Sequence, residues 1–83
     1  MIVTVRYFAS IREAIGQGSE RVETGAATLG ALRDELLARG GAHAAALVRG
    51  KSVRMSLDQV MSDDGAVLRD GAEVGFFPPV TGG

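Results

Sequence analysis

Apolar and polar positions alternate through Ile2-Val3-Thr4-Val5-Arg6-Tyr7-Phe8, a β-branched and aromatic run closed by Ala9-Ser10. This period of two predicts a strand, with Val3, Val5 and Tyr7 on one face and Ile2, Thr4, Arg6 and Phe8 on the other. Ser10 has the side chain to cap a short helix through Ile15, and Gly16 to end it. Residues 20–24 read as a second, short strand. Thr28 then stands at an N-cap position ahead of Leu29, Leu32, Leu36 and Leu37. Their spacing of three and four predicts an amphipathic helix over about residues 29–39, with Arg33, Asp34 and Glu35 on its far side and Gly40-Gly41 at its end. Gly30 inside that helix costs up to about 1 kcal/mol relative to alanine; close packing and a tolerated imperfection are both open readings.

The alanine-rich residues 42–48 fit an extension of the helix or a turn. Val53, Met55 and Leu57 alternate with Arg54 and Ser56, which predicts a third strand, and Asp58-Gln59 reads as a turn after it. Asp63-Asp64-Gly65 and Asp70-Gly71 are turn signals, with Val67 and Leu68 between them expected to anchor the intervening loop to the core. Glu73 to Phe77 form the last strand, with Val74 and Phe76 on one face and Phe77 on the other. The pairing of strands near residues 60–68 stays open. Strands before and after one principal helix describe an α+β protein with a mixed sheet and that helix on one face. Two strands, a helix and two strands make a β-grasp, the architecture of ubiquitin. A right-handed crossover then sets the first and last strands side by side and parallel at the centre. The expected division is a domain over residues 1–77 and an extended C-terminal tail over 78–83.

Composition narrows the function. The 83 residues suffice for one small domain, and a net charge of -1 provides no overall field for nucleic acid or an anionic membrane. With no cysteine and one histidine, the chain has no disulfide, no thiolate metal site and no triad; no metal site is expected. No apolar stretch approaches a membrane span and no signal peptide is visible, so a cytoplasmic protein is expected. Charge is uneven along the chain: Arg49, Lys51 and Arg54 form a basic run, followed by Asp58, Asp63, Asp64, Asp70 and Glu73.

The chemistry concentrates at the end of the chain. Pro78 and Pro79 lack amide donors and fix φ, so they end the strand ladder and hold the chain extended. Val80-Thr81 disfavour a turn. Gly82 and Gly83 have no side chains, so they fit a channel too narrow for any other residue. From Pro78 to Gly83 the reach is roughly 20 Å at ~3.3 Å per residue. A free carboxylate is a poor electrophile, but once adenylated it carries AMP as a leaving group. A sulfur donor then converts it to a thiocarboxylate, a sulfur nucleophile on an arm. No side chain of this protein need take part, which agrees with a sequence lacking catalytic constellations.

The segment Asp70-Gly71-x-Glu73-Val74-x-Phe76-Phe77-Pro78-Pro79-Val80-Thr81-Gly82-Gly83 closely resembles the C-terminal signature of the sulfur-carrying small subunits of molybdopterin synthase. Ala9-x-x-Arg12-Glu13-x-x-Gly16 and Thr28-Leu29-x-x-Leu32 resemble that family too, although its members often have Asn-Gln where Asp58-Gln59 stands here. The resemblance implies a heterotetramer with two large catalytic subunits, each taking one tail. It implies activation by a ubiquitin-activating-like adenylating enzyme that consumes ATP, with a sulfur donor protein; no cofactor bound to this chain is implied. The Gly83 thiocarboxylate would donate sulfur to cyclic pyranopterin monophosphate, building the molybdopterin dithiolene in two transfers. The resemblance makes Gly83 the reactive residue and Gly82 the access residue, and implies that Thr81, Val80, Pro79, Pro78, Phe77 and Phe76 contact partners. A carrier for thiamine thiazole, a protein modifier joined through Gly83 to lysine, and a plain binding module are the alternatives.

The remaining motifs carry less. His43 reads as structural. Asp63-Asp64-Gly65 lacks the spaced oxygen ligands and closing glutamate of a calcium loop. Gly16-x-Gly18 follows a helix, not a strand, so it is no phosphate loop. Arg49-Gly50-Lys51 reads as a solvated hairpin, too small and too poor in aromatics for nucleic acid. Adjacent Phe76 and Phe77 point to opposite faces; one is expected in the core and the other beside the tail.

Overall fold

The computed structural model describes residues 1–79. Its elements are β1 (Ile2–Tyr7), α1 (Ala9–Ile15), β2 (Ser19–Glu23), α2 (Leu29–Leu37), α3 (Gly41–Leu47), β3 (Arg54–Leu57), β4 (Val60–Ser62) and β5 (Glu73–Phe77). The strands form one sheet in the order β2-β1-β5-β3-β4. β1 and β5 pair in parallel, with Thr4 opposite Glu73 and Tyr7 opposite Phe76, and the other pairings are antiparallel. This is the ubiquitin-like β-grasp, with the last strand at the centre.

The alternation expected of β1 and β5 sorts the sheet into two faces. Val3, Val5, Tyr7, Val74 and Phe76 turn inward and meet Leu29, Leu32 and Leu36 of α2 in one core. The Thr28 hydroxyl accepts from the Ala31 amide at 3.2 Å and caps α2. The helix ends at Leu37, and Gly40 and Gly41, both at positive φ, turn the chain into α3.

Several local expectations change. Ser10 does not cap α1. The chain swings at Ala9, φ 49, so that the Phe8 carbonyl accepts from Ile11 and Arg12 and starts the helix without a side-chain cap. Residues 42–48 are neither an extension of α2 nor a turn, because the two glycines separate α3 as its own helix. Arg33 does not lie on a solvated far side. It is buried, and its guanidinium donates to the carbonyls of Leu47, Val48 and Lys51 at 2.8, 2.8 and 3.2 Å. Residues 49–51 are therefore a loop held to α2, not a hairpin. Arg49 fastens it further, donating to Asp34 at 3.0 Å, to Asp64 at 2.6 Å and to the Gly30 carbonyl at 3.0 Å. Gly30 proves to be a close-packing position, since a Cβ there would lie 2.9 Å from the Asp64 Cβ. Leu68 anchors its loop, but Val67 is exposed and only bridges the backbone of Thr28.

Asp58 and Gln59 make the β3–β4 turn, both at positive φ, and the Asp58 carboxylate accepts from the Glu73 amide at 3.0 Å. The short edge strand β4 had no distinct signature in the sequence.

Candidate functional site: the outer sheet face at the root of the C-terminal segment

The sheet face away from α2 is built by register. Arg6 pairs with Gly75, Gly75 with Ser56, Ser56 with Met61, and Arg54 with Phe77, so these residues share the outer side. Phe8 follows Arg6 on the same side. Its ring stacks on Phe77 with centroids 4.3 Å apart and planes 6° from parallel. Gly75 makes this possible: a Cβ on it would stand 2.5 Å from the Ser56 Oγ, 3.0 Å from Phe77 and 3.2 Å from Phe8.

The paired rings form one wall of a mostly apolar groove of about 530 Å³, continued by Ala9, Arg54, Met61 and the Pro78-Pro79 pair. Pro79 also borders a second groove, of about 260 Å³, on the other side, where Ile11, Ala46, Lys51 and Val53 take part. Pro78-Pro79 thus forms a ridge between two hollows where the chain leaves the sheet.

Phe76 lies wholly in the core, its ring stacked on Tyr7 at 6.1 Å, so the contact at the root of the tail falls to Phe77. Val80, Thr81, Gly82 and Gly83, the remaining residues of the expected tail, lie outside the described residues. Phe8, Gly75 and Met61 are the members of the site that the sequence did not single out. The alternation of β1 already set Phe8 on the outer face; Met61 had no such signal, because a three-residue strand shows no period.

On the inner side of the sheet a polar cluster gathers around the Tyr7 hydroxyl. The Tyr7 hydroxyl donates to Glu20 at 2.8 Å, Arg39 donates to Glu20 at 2.7 Å, and the His43 Nε2 lies 3.1 Å from the same carboxylate. Burial, with the hydrogen bond to Glu20, pushes the Tyr7 hydroxyl well above its ordinary range. Partial burial opposes the charge of Glu20, but the bonds from Arg39, His43 and Tyr7 outweigh it and hold the carboxyl below its usual value. His43 is thereby structural. Burial, then the nearby Arg49, lowers the affinity of Arg33 for its proton, whereas its bonds to Asp34 and Asp64 raise that of Arg49. Among the described residues no group of histidine, aspartate and glutamate is arranged to hold a metal, and no helix is long and apolar enough to cross a membrane.

The ThiS family model matches residues 5–83. The chain belongs to the ThiS family. Two relatives, each a molybdopterin synthase sulfur carrier subunit, come from Haemophilus influenzae and Escherichia coli. They are 37% and 38% identical over 82 residues, covering 99% of this chain and all of each relative. Among solved structures, the ThiS-family chain is similar to SAMP1 from Haloferax volcanii, with a TM-score of 0.78 and 27% identity over the whole of both chains. It is also similar to a chain of the complex of subunits 1 and 2 of the molybdopterin-converting factor from Helicobacter pylori, with a TM-score of 0.70 and 26% identity, again over both whole chains.

Proposed function

We propose that this ThiS-family protein carries sulfur for molybdopterin synthase. A partner enzyme transfers AMP from ATP to the Gly83 carboxylate, releasing pyrophosphate. A sulfide equivalent from a donor protein attacks the acyl carbon, AMP leaves, and a thiocarboxylate remains. The Phe8–Phe77 platform docks on the large catalytic subunit while the Pro78-Pro79 ridge directs the following residues into its pocket. There the thiocarboxylate sulfur bonds to a carbon of cyclic pyranopterin monophosphate, water then cleaves the Gly83 acyl–sulfur bond and returns the carboxylate, and a second carrier completes the dithiolene. The two chains and two large subunits form a heterotetramer.

The observation that carries this reading is the aromatic platform at the root of the segment that holds Gly82-Gly83, which the ThiS family model matches through residue 83. An apolar groove open to solvent suits a partner surface. The relatives' shared name and the two-subunit complex of the structural neighbour support the acceptor and the partner.

The test is intact-protein mass spectrometry after incubation with ATP, a cognate adenylating enzyme and a sulfur source. The expected result is a mass gain equal to sulfur replacing oxygen, mapped to Gly83, and lost when one residue is added after Gly83. An unchanged mass, with the adenylating enzyme active on another carrier, rejects the proposal. A second reading, a protein modifier joined to lysine, draws support from the likeness to SAMP1; lysine-linked adducts on cell proteins would favour it.

A further inference from the structure

Two arginines near Phe8, Arg6 on the outer sheet face and Arg12 on α1, have no part in the reading above. Arg6 and Ser19 are register partners across β1 and β2, so their side chains share that face. Together with Arg12 from α1 they line a pocket of about 290 Å³ that also takes in Phe8 and Gly18. Gly18 shapes it: a Cβ there would come within 3.2 Å of Arg12 Nε and 3.3 Å of its Cζ. Without that atom, the Arg12 side chain packs close against the turn before β2.

Neither cation has a close ion-pair partner among the described residues. Among the described residues Arg12 has no ion-pair partner, and Arg6 has only the long, partly exposed pair with Glu73 at 3.9 Å. This contrasts with Arg49, which carries two close carboxylates. The Arg6 guanidinium also sits 5.4 Å from the centre of the Phe8 ring, and Phe8 stacks on Phe77. The cationic pocket and the aromatic platform therefore form one continuous surface.

We propose that the Arg6–Arg12 pocket receives a carboxylate side chain from the large subunit that covers the Phe8–Phe77 platform. The inference rests on the carrier reading and specifies the chemistry of its partner: an apolar patch bordered by an aspartate or glutamate. Two planar guanidinium groups match a carboxylate in shape as well as charge. A free anion at so open a site stays in competition with water and salt. A carboxylate brought in by a partner is sheltered as the neighbouring rings are covered, and the attraction strengthens as water leaves.

The test is calorimetric titration of the full-length chain with its cognate large subunit at low and high salt, for wild type, Arg12→Gln and Gly18→Val. Arg12→Gln removes the charge, and Gly18→Val keeps the charge but displaces it. Both are expected to melt with the wild type and to bind about tenfold more weakly at low salt, with the gap for Arg12→Gln narrowing at high salt. Wild-type affinity in both variants at both salts overturns the pocket inference and leaves the carrier reading standing. Failure of the wild type itself to bind the large subunit overturns the carrier reading, and the pocket with it. Inorganic phosphate that shifts the Arg12 side-chain NMR signal, combined with undiminished binding by Arg12→Gln, also overturns the inference, in favour of a small-anion site.

Discussion

The rings of Phe8 and Phe77 lie face to face at 4.3 Å, from strands that run parallel, above a glycine that leaves them room. Gly75→Ala tests this relationship. The new methyl meets the Ser56 hydroxyl and the edges of both rings, and neighbours on a central strand have little freedom to move. The expected cost is about 1–3 kcal/mol of stability, read as a lower urea midpoint. Weaker binding to the large subunit should accompany it. The double variant Gly75→Ala/Ser56→Gly should recover part of the stability; no recovery would place the conflict at the rings alone.

Gln59 occupies a backbone conformation that favours glycine, at φ 69 in the β3–β4 turn. Gln59→Gly is expected to stabilise the domain by about 0.5–1 kcal/mol, the relief of left-handed strain less the added freedom of the unfolded chain. Thermal melts of the two proteins decide it, and a lower melting temperature for the glycine variant would refute the strain.

From inside the fold Arg33 satisfies the carbonyl of Leu47 at the end of α3 and those of Val48 and Lys51 in the loop after it. Arg33→Ala leaves them without these donors and is expected to cost about 2–4 kcal/mol. Arg33→Lys should recover only part, because an ammonium cannot reproduce the planar fork. Chemical denaturation of both variants measures this, and full rescue by lysine would show that charge alone matters.

Glu20 has a carboxyl held below its usual range, net of partial burial, by Arg39, His43 and Tyr7. Its folded pKa therefore lies below its unfolded one. The stability it contributes is complete above the unfolded value, about 4.3, and is lost as pH falls through the folded value. Glu20→Gln should lose stability at neutral pH and show a shallower acid limb in unfolding curves taken from pH 7 downward. Parallel acid limbs in both proteins would remove Glu20 from the acid response.

Much of this arrangement was legible in the sequence. The alternation in β1 and β5 assigned each side chain to its face and separated Phe76 from Phe77, because a period of two has no ambiguity once one face is apolar. The leucine spacing set α2 and its Thr28 cap. Arg33 was misplaced although a signal existed: it stands four residues after Leu29 and three before Leu36, on the leucine side of the helix. A charged residue was taken for a solvated one, when backbone carbonyls at the end of α3 and in the loop after it receive it. The stacking of Phe8 on Phe77 depends on the parallel register of β1 and β5, a relation between the two ends of the chain that local pattern does not contain. Three-residue β4, with Val60 and Met61 both exposed, gave hydrophobic patterning nothing to detect.

The central position of β5 also bears on how the protein comes into being. Its parallel partner, β1, lies about seventy residues earlier, a separation of the kind that slows folding because a long loop must close first. Until residues 73–77 have been synthesised, β1 and β3 have no strand between them and the core lacks Val74 and Phe76. A nascent chain therefore completes its sheet only once residues 73–77 have been made. The same five residues supply the central strand, two side chains of the core and the Phe77 ring, so a chain cannot complete its sheet without also acquiring the aromatic platform.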